Sequence, residues 1–306
     1  MKALISEIPW AVRHPYTRPG IILPKPIPRR PRPYPERLEE KEPPMTIAAG
    51  FVCRDGIVIC ADSEVTNDLD KYEESKIFTM ASVTGPTVVF AGSGWTDFIK
   101  MTVSKIKIQG QFAKTADEIE EIIEDVVMKV HRNHIRHYPS DPKPFISLLI
   151  GIKDGGDLRL LQTSGTSIRP VTVSAFLGAG ETLGHYLSRG LSPEREPADK
   201  AALLAVQILE QVKSSVPGCG GKFSEVTILP EQGRLRRIPP SQLLDIEFRG
   251  REFNGILKPL LMSFSDASTA DEDFEATFAE FDRQCHKLRQ DAKDRMERAR
   301  ARVGKT

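Results

Sequence analysis

The stretch that most restricts how this chain can fold is residues 46–62, TIAAGFVCRDGIVICAD. Two strand-forming runs, Ile47 to Cys53 and Ile57 to Ala61, meet across Arg54-Asp55-Gly56. Asp-Gly between two such runs signals a tight β-hairpin. With two or three loop residues, Thr46 falls opposite positions near 64 or 65. Asp62 then sits within a few residues of Thr46 across the ladder, where neighbouring strands lie about 5 Å apart. Whether the two side chains share a face depends on the loop length, because a one-residue slip reverses the face.

Beyond the hairpin, Asn67 to Ser75 is polar and reads as a loop. Ile77 to Met80 and Thr87 to Phe90 read as strands around Thr84-Gly85-Pro86. Asp97 to Ile108 reads as a helix. Ala116 to Val130 is a stronger one, with Ile119, Ile122, Ile123, Val126, Val127 and Val130 at three- and four-residue steps. Thr115 with Glu118 three residues on forms a capping box at its start. Phe145 to Ile152 and Leu158 to Thr163 make a hairpin across Asp154-Gly155-Gly156, and Ile168 to Leu177 reads as one further strand. Thr182 to Leu187 and Ala198 to Val212 are helical, and Glu225 to Leu229 with Arg234 to Ile238 closes the series as a strand pair. Strands in hairpins, then helices, twice over and ending in strands, predict an α+β class with antiparallel sheets and outer helices.

The ends differ from this middle. Residues 1–44 hold eleven of the 23 prolines, a density that favours an extended, disordered segment. Three explanations stay open for it: a propeptide, a basic or proline-rich docking arm, or sequence upstream of the native product. A chain begun at Met45 would expose Thr46 by ordinary loss of its methionine. At the other end, Phe274, Phe278, Phe281, Cys285, Leu288 and Ala292 recur at four-three spacing, giving one apolar stripe on a helix. That stripe suits a coiled coil, or docking on the domain or a neighbouring subunit. The expected organisation is an extension over 1–45, one domain over 46–240 and a helical tail over 241–306.

A net charge of +1 gives no electrostatic case for nucleic acid or a membrane surface. No apolar run approaches the roughly 18 residues that span a bilayer, and the N-terminus lacks a secretory pattern. The four scattered cysteines, Cys53, Cys60, Cys219 and Cys285, form no CxxC and read as buried or free thiols in a reducing compartment. His131, His134 and His137 lie three residues apart beside Arg132 and Arg136, which reads as a solvated helix end rather than a metal site. No cofactor is expected.

The hairpin and the residues after it resemble the start of mature proteasome β-type subunits and their bacterial relatives, within the N-terminal-nucleophile hydrolases. The resemblance rests on ordered offsets across residues 45–235. Counting from Thr46, Gly56 and Ala61-Asp62-Ser63 fall where that family has its turn glycine and its small-Asp-Ser run. Lys76, in Ser75-Lys76-Ile77-Phe78, matches the family lysine with about two residues fewer in the loop. Ala91-Gly92-Ser93-Gly94 matches the small-Gly oxyanion turn, and Gly220-Gly221 matches the late glycine pair.

The resemblance implies a four-layer α-β-β-α sandwich and a threonine-type endopeptidase. A threonine hydroxyl is a weak nucleophile, and a free α-amine on the same residue supplies a base without any histidine. Asp62 and Lys76 complete the implied site: the lysine favours the ionised hydroxyl, and the aspartate holds the ammonium in place. The Gly92 N–H faces the oxyanion. The implied setting is cytoplasmic, as a homo-oligomeric ring acting on peptides or unfolded proteins with an ATPase or other activator, without nucleic acid or membrane. Three positions depart from the pattern. Ala179, Val216 and Cys219 stand where the family commonly has Ser, Asp and Ser, groups that orient the terminal amine. The alternatives are therefore a catalytically inactive structural subunit and an amidase of small amides.

Overall fold

A computed structural model of the chain describes residues 46–66, 71–82, 85–139, 143–266 and 268–303. The proline-rich extension lies outside the described residues, as do Thr84 and the 67–70 part of the expected loop. All strand pairs among the described residues are antiparallel. The chain opens with β1 (Ala48–Cys53) and β2 (Gly56–Asp62), then a small pair, β3 (Glu64–Thr66) and β4 (Lys71–Glu73). Then come β5 (Ile77–Ala81), β6 (Thr87–Gly94), α1 (Thr96–Gly110) and α2 (Ala116–Val130). Next are β7 (Ile146–Asp154), β8 (Asp157–Ser164), β9 (Ser167–Val171) and β10 (Ser174–Leu177). The remainder is α3 (Glu181–Leu191), α4 (Ala198–Ser215), β11 (Ser224–Pro230), β12 (Arg236–Arg237), α5 (Pro240–Ser265) and α6 (Asp271–Val303).

Two five-stranded sheets result, ordered β10-β1-β2-β11-β12 and β5-β6-β7-β8-β9. Their apolar side chains fall into three groups. Ala48, Ile57, Ile59 and Ala61 of the first sheet share one cluster with Ile77, Val89, Leu149 and Leu160 of the second. The opposite side of the first sheet packs Ile47, Phe51, Val58 and Cys60 with Ala201, Ala205, Val206 and Leu209 of α4. The opposite side of the second sheet packs Phe90, Leu148 and Ile150 with Val103 and Ile106 of α1 and Ile119, Ile123 and Val127 of α2. The alternation of β2 explains the division: Ile57, Ile59 and Ala61 point one way, Val58 and Cys60 the other.

The first hairpin takes the shorter of the two expected loops. Only Arg54 and Asp55 form the turn, and Ala48 pairs with Ala61. Extended by two residues, that register sets Thr46 against Ser63, not 64 or 65. Gly56 has another role than turn formation, since it is absent from the positive-φ glycines. A Cβ there would sit 2.9 Å from the Leu229 carbonyl oxygen and 3.0 Å from Pro230 Cα, so the missing side chain lets β11 approach. Asp55 ties the turn to α4, its Oδ1 accepting from the Ala198 N–H at 2.7 Å. Gly56→Ala is expected to lower stability by about 1–3 kcal/mol through overpacking, read from the urea midpoint.

Other expectations shift in informative ways. Thr115 does cap α2, accepting from Glu118 N at 3.2 Å, but the Glu118 carboxylate reaches the Lys114 N–H at 2.7 Å rather than that of Thr115. The segment 71–73 is a strand, not loop. The single strand expected over Ile168 to Leu177 is two: β9 pairs with β8 in the second sheet, while β10 pairs with β1 in the first. The chain changes sheets between them, where the Val173 carbonyl accepts from Val52 N at 2.9 Å. Within 241–306, the helix α5 is an addition to the expected single helix. Its first turns lie in the core through Leu243 and Ile246, and Gly250 passes close to Gln207 of α4. α6 returns along α5, with the Phe253 and Phe281 rings 6.1 Å apart and Arg295 3.0 Å from Asp245.

Candidate active site

Thr46 lies just before β1, Asp62 ends β2 and Lys76 immediately precedes β5, so the two sheets bring the three together. Lys76 Nζ donates to Thr46 Oγ1 at 2.9 Å and to Asp62 Oδ1 at 2.7 Å. All three residues are buried, at 6%, 0% and 8% relative exposure for Thr46, Asp62 and Lys76. Asp62 is held from both sides. Oδ1 accepts from Ile47 N at 3.2 Å, Oδ2 accepts from Gly220 N at 3.1 Å, and its own N–H donates to the Ile47 carbonyl at 3.0 Å. Burial pushes the Asp62 carboxyl above the usual carboxylate range, against the Lys76 ammonium and the two N–H donors that favour the anion.

The surroundings add groups that sequence reasoning missed. Glu225 of β11 accepts the Lys76 backbone N–H at 2.8 Å, fixing the base of the lysine. Ser63 donates to the Phe223 carbonyl at 2.7 Å and also to Glu73, whose other oxygen accepts from Lys222 N at 2.8 Å. None of these carries a local signal, because each partner is about ten or more residues away and neither acid lies in a recognisable pattern. Gly178, at φ +91°, packs against the Thr46 backbone: a Cβ would be 2.1 Å from the Thr46 carbonyl oxygen. The same carbonyl accepts from Gly180 N at 3.5 Å.

Gly92 lies inside β6 rather than in a turn, paired with Leu148 in the ladder. A Cβ there would press on Ile99 Cγ2 at 2.8 Å, so glycine is what lets α1 close on the strand. Ser93 next to it is buried, with a hydroxyl that has no hydrogen-bond partner. A cleft opens beside these residues, lined by Thr46, Lys76, Gly92 and Gly94 among others. Of the three departing positions, Cys219 is buried near the ion pair. Burial first, then the charge of Asp62, pushes its thiol up to about 12, so it is neutral near pH 7 and no rival nucleophile.

No protein-family model and no curated protein matches the chain. Solved structures do. The Anbu (ancestral beta-subunit) of Yersinia bercovieri superposes with a TM-score of 0.59 at 16% identity, over 74% of this chain and 99% of its own. Anbu of Hyphomicrobium sp. strain MC1 gives 0.58 at 15%, over 74% and 100%. The Pseudomonas aeruginosa structure, described as a helical assembly of the Anbu complex, gives 0.61 at 14%, over 74% and 99%. Identity this low carries the fold and not an activity. The shared fold is a mixture of antiparallel sheets and helices. The resemblance to proteasome β-type subunits is corrected: these neighbours are Anbu proteins, which are proteasome-like but a distinct family. Offsets imposed by a common hairpin do not separate one family built on it from another. No helix among the described residues is long and apolar enough to cross a membrane.

Proposed function

We propose that this chain is a threonine-type peptidase of the N-terminal-nucleophile kind, with Thr46 as nucleophile once its α-amine is free. The observation that carries the reading is the buried Lys76 ammonium, 2.9 Å from Thr46 Oγ1 and 2.7 Å from Asp62 Oδ1. The apolar clusters support a four-layer α-β-β-α order, in which the strand ends carrying the site meet between the sheets. An α-amine of reference pKa near 8 takes the Oγ1 proton as the oxygen attacks the peptide carbonyl carbon. Lys76 stabilises the developing alkoxide, and the Gly92 N–H is the candidate donor to the oxyanion. Collapse expels the amine product, which leaves with that proton, and water hydrolyses the Thr46 ester. Asp62 is a positioning residue for the ammonium.

A second reading, a non-hydrolytic subunit of a larger assembly, draws on Cys219. Its neutral thiol stands where the resembled family has a serine hydroxyl that helps orient the terminal amine. One set of measurements separates the readings. Intact mass is expected to show a species beginning at Thr46. A threonine-directed electrophile should add one equivalent to it and none to Thr46→Ala. A persistent 1–45 extension with no labelling would favour the assembly subunit. Peptides cleaved in preference to small amides would set aside an amidase. Self-association, as in the helical assembly described for the Pseudomonas aeruginosa protein, is part of the proposal and is read by light scattering.

A further inference from the structure

The cleft beside Thr46 is narrow and open to solvent. Val65, Phe78 and Ile99 give it apolar walls, and Glu74 is the acid that lines it. Glu74 lies two residues before Lys76, and its N–H donates to the Ser63 carbonyl at 2.9 Å, so it belongs to the segment that carries the site lysine. Its two carboxylate oxygens differ. Oε1 is 2.6 Å from Lys100 Nζ of α1, whereas Oε2 is buried with no hydrogen-bond partner. A buried acceptor left without a donor is costly, and more so when it carries charge. The Lys76 ammonium does not serve it, being engaged by Thr46 and Asp62.

We infer that this cleft receives a lysine or arginine side chain of the substrate, and that Glu74 selects it. The inference rests on the reading of Thr46 as a peptidase nucleophile. The residue concerned is the one whose carbonyl Thr46 attacks, since Thr46 and Gly92 border the cleft. A long aliphatic stem matches the walls of Val65, Phe78 and Ile99, and a cationic tip supplies the donor that Oε2 lacks. An aliphatic side chain leaves Oε2 unsatisfied, and an acidic one adds like charge beside it. A neutral amide tip gives the weaker, uncharged form of the same bond. Lys100 competes for the same carboxylate, so its removal strengthens the preference.

The test compares peptides with Lys, Arg, Leu or Glu before the scissile bond, using purified protein whose N-terminus is defined by intact mass. Wild type is expected to cleave after Lys and Arg with kcat/KM at least about ten-fold above Leu and Glu. Glu74→Gln should lose that margin, and its urea unfolding midpoint, compared with that of wild type, shows that the variant is folded. Lys100→Met should widen it, and Glu74→Lys should shift it toward Glu. Equal cleavage after Lys and Leu by wild type, or a ratio untouched by Glu74→Gln, would overturn the inference. Should no peptide be hydrolysed, it is the peptidase reading that fails. Binding then decides the cleft separately: Thr46→Ala is titrated with short peptide amides ending in Lys or Leu. A tighter Lys peptide, levelled by adding Glu74→Gln, supports the selection, and equal affinities refute it.

Discussion

Lys76→Met is expected to lower the rate of Thr46 acylation by about 10³-fold, the scale of losing a charged donor aimed at developing negative charge. The same change should make stability depend more steeply on pH. In wild type the ammonium 2.7 Å away offsets part of the cost of burying the Asp62 carboxylate. Without it, the carboxyl keeps only the N–H groups of Ile47 and Gly220, and its folded pKa rises further above the unfolded value. A carboxyl raised in the folded state contributes stability that is fully present below its unfolded pKa and lost as pH rises through the folded one. The deficit of Lys76→Met relative to wild type should therefore be small in acid and grow toward neutral pH, reaching about 3–5 kcal/mol. Urea unfolding at pH 4 and pH 8 measures it. A deficit independent of pH would mean that Asp62 does not face an uncompensated burial.

Glu247→Ala should be as damaging to stability, at a buried acid that holds Ser224, the cross-strand partner of Asp62. Glu247 of α5 is fully buried, and its Oε1 takes three donors: Ser224 N at 2.9 Å, Ser224 Oγ at 2.6 Å and Lys213 Nζ at 3.0 Å. Lys213 is itself 8% exposed in its side chain, with Glu210 4.0 Å away and already 2.8 Å from Arg251. Truncation leaves a buried ammonium and two unsatisfied Ser224 donors, a loss of about 3–5 kcal/mol. The double variant Lys213→Met, Glu247→Leu removes both charges and keeps the volume. It should recover most of the loss, because the pair repays little beyond its own desolvation. Midpoints of urea unfolding for Lys213→Met, Glu247→Leu and the double variant close the cycle. Failure of the double to recover would place the energy in the Ser224 contacts instead.

How much of the fold and site is legible in the sequence depends on where each signal lives. The paired runs on either side of Arg54-Asp55 announce a hairpin because turn and alternation are local. With the hairpin comes the approach of Thr46 to Asp62. The α2 boundaries coincide with the expected ones because Thr115 and the three-four stripe bracket them. The break between β9 and β10 has no such bracket: Thr172 and Val173 continue a strand-like pattern, and only the positions of β8 and β1 in space decide where the chain departs. α5 is hidden for a related reason. It has a proline inside, Pro259, and a broken apolar pattern, because its first turns face the core while the rest faces α6. Glu225 and Glu247 are illegible as functional acids, since each finds its partner only after the sheets and helices have closed.

Lys76 reaches from the rim of one sheet to two groups held on the other, so its ammonium straddles the seam between them. An ångström of slip along that seam would stretch both of its bonds at once. Fitness of the hydroxyl is thus tied to the registration of two slabs over their whole contact, down to Ile59 and Leu149 in the middle. Conservative trimming of that interior should be felt at the Lys76 contacts with Thr46 and Asp62 before the fold as a whole gives way.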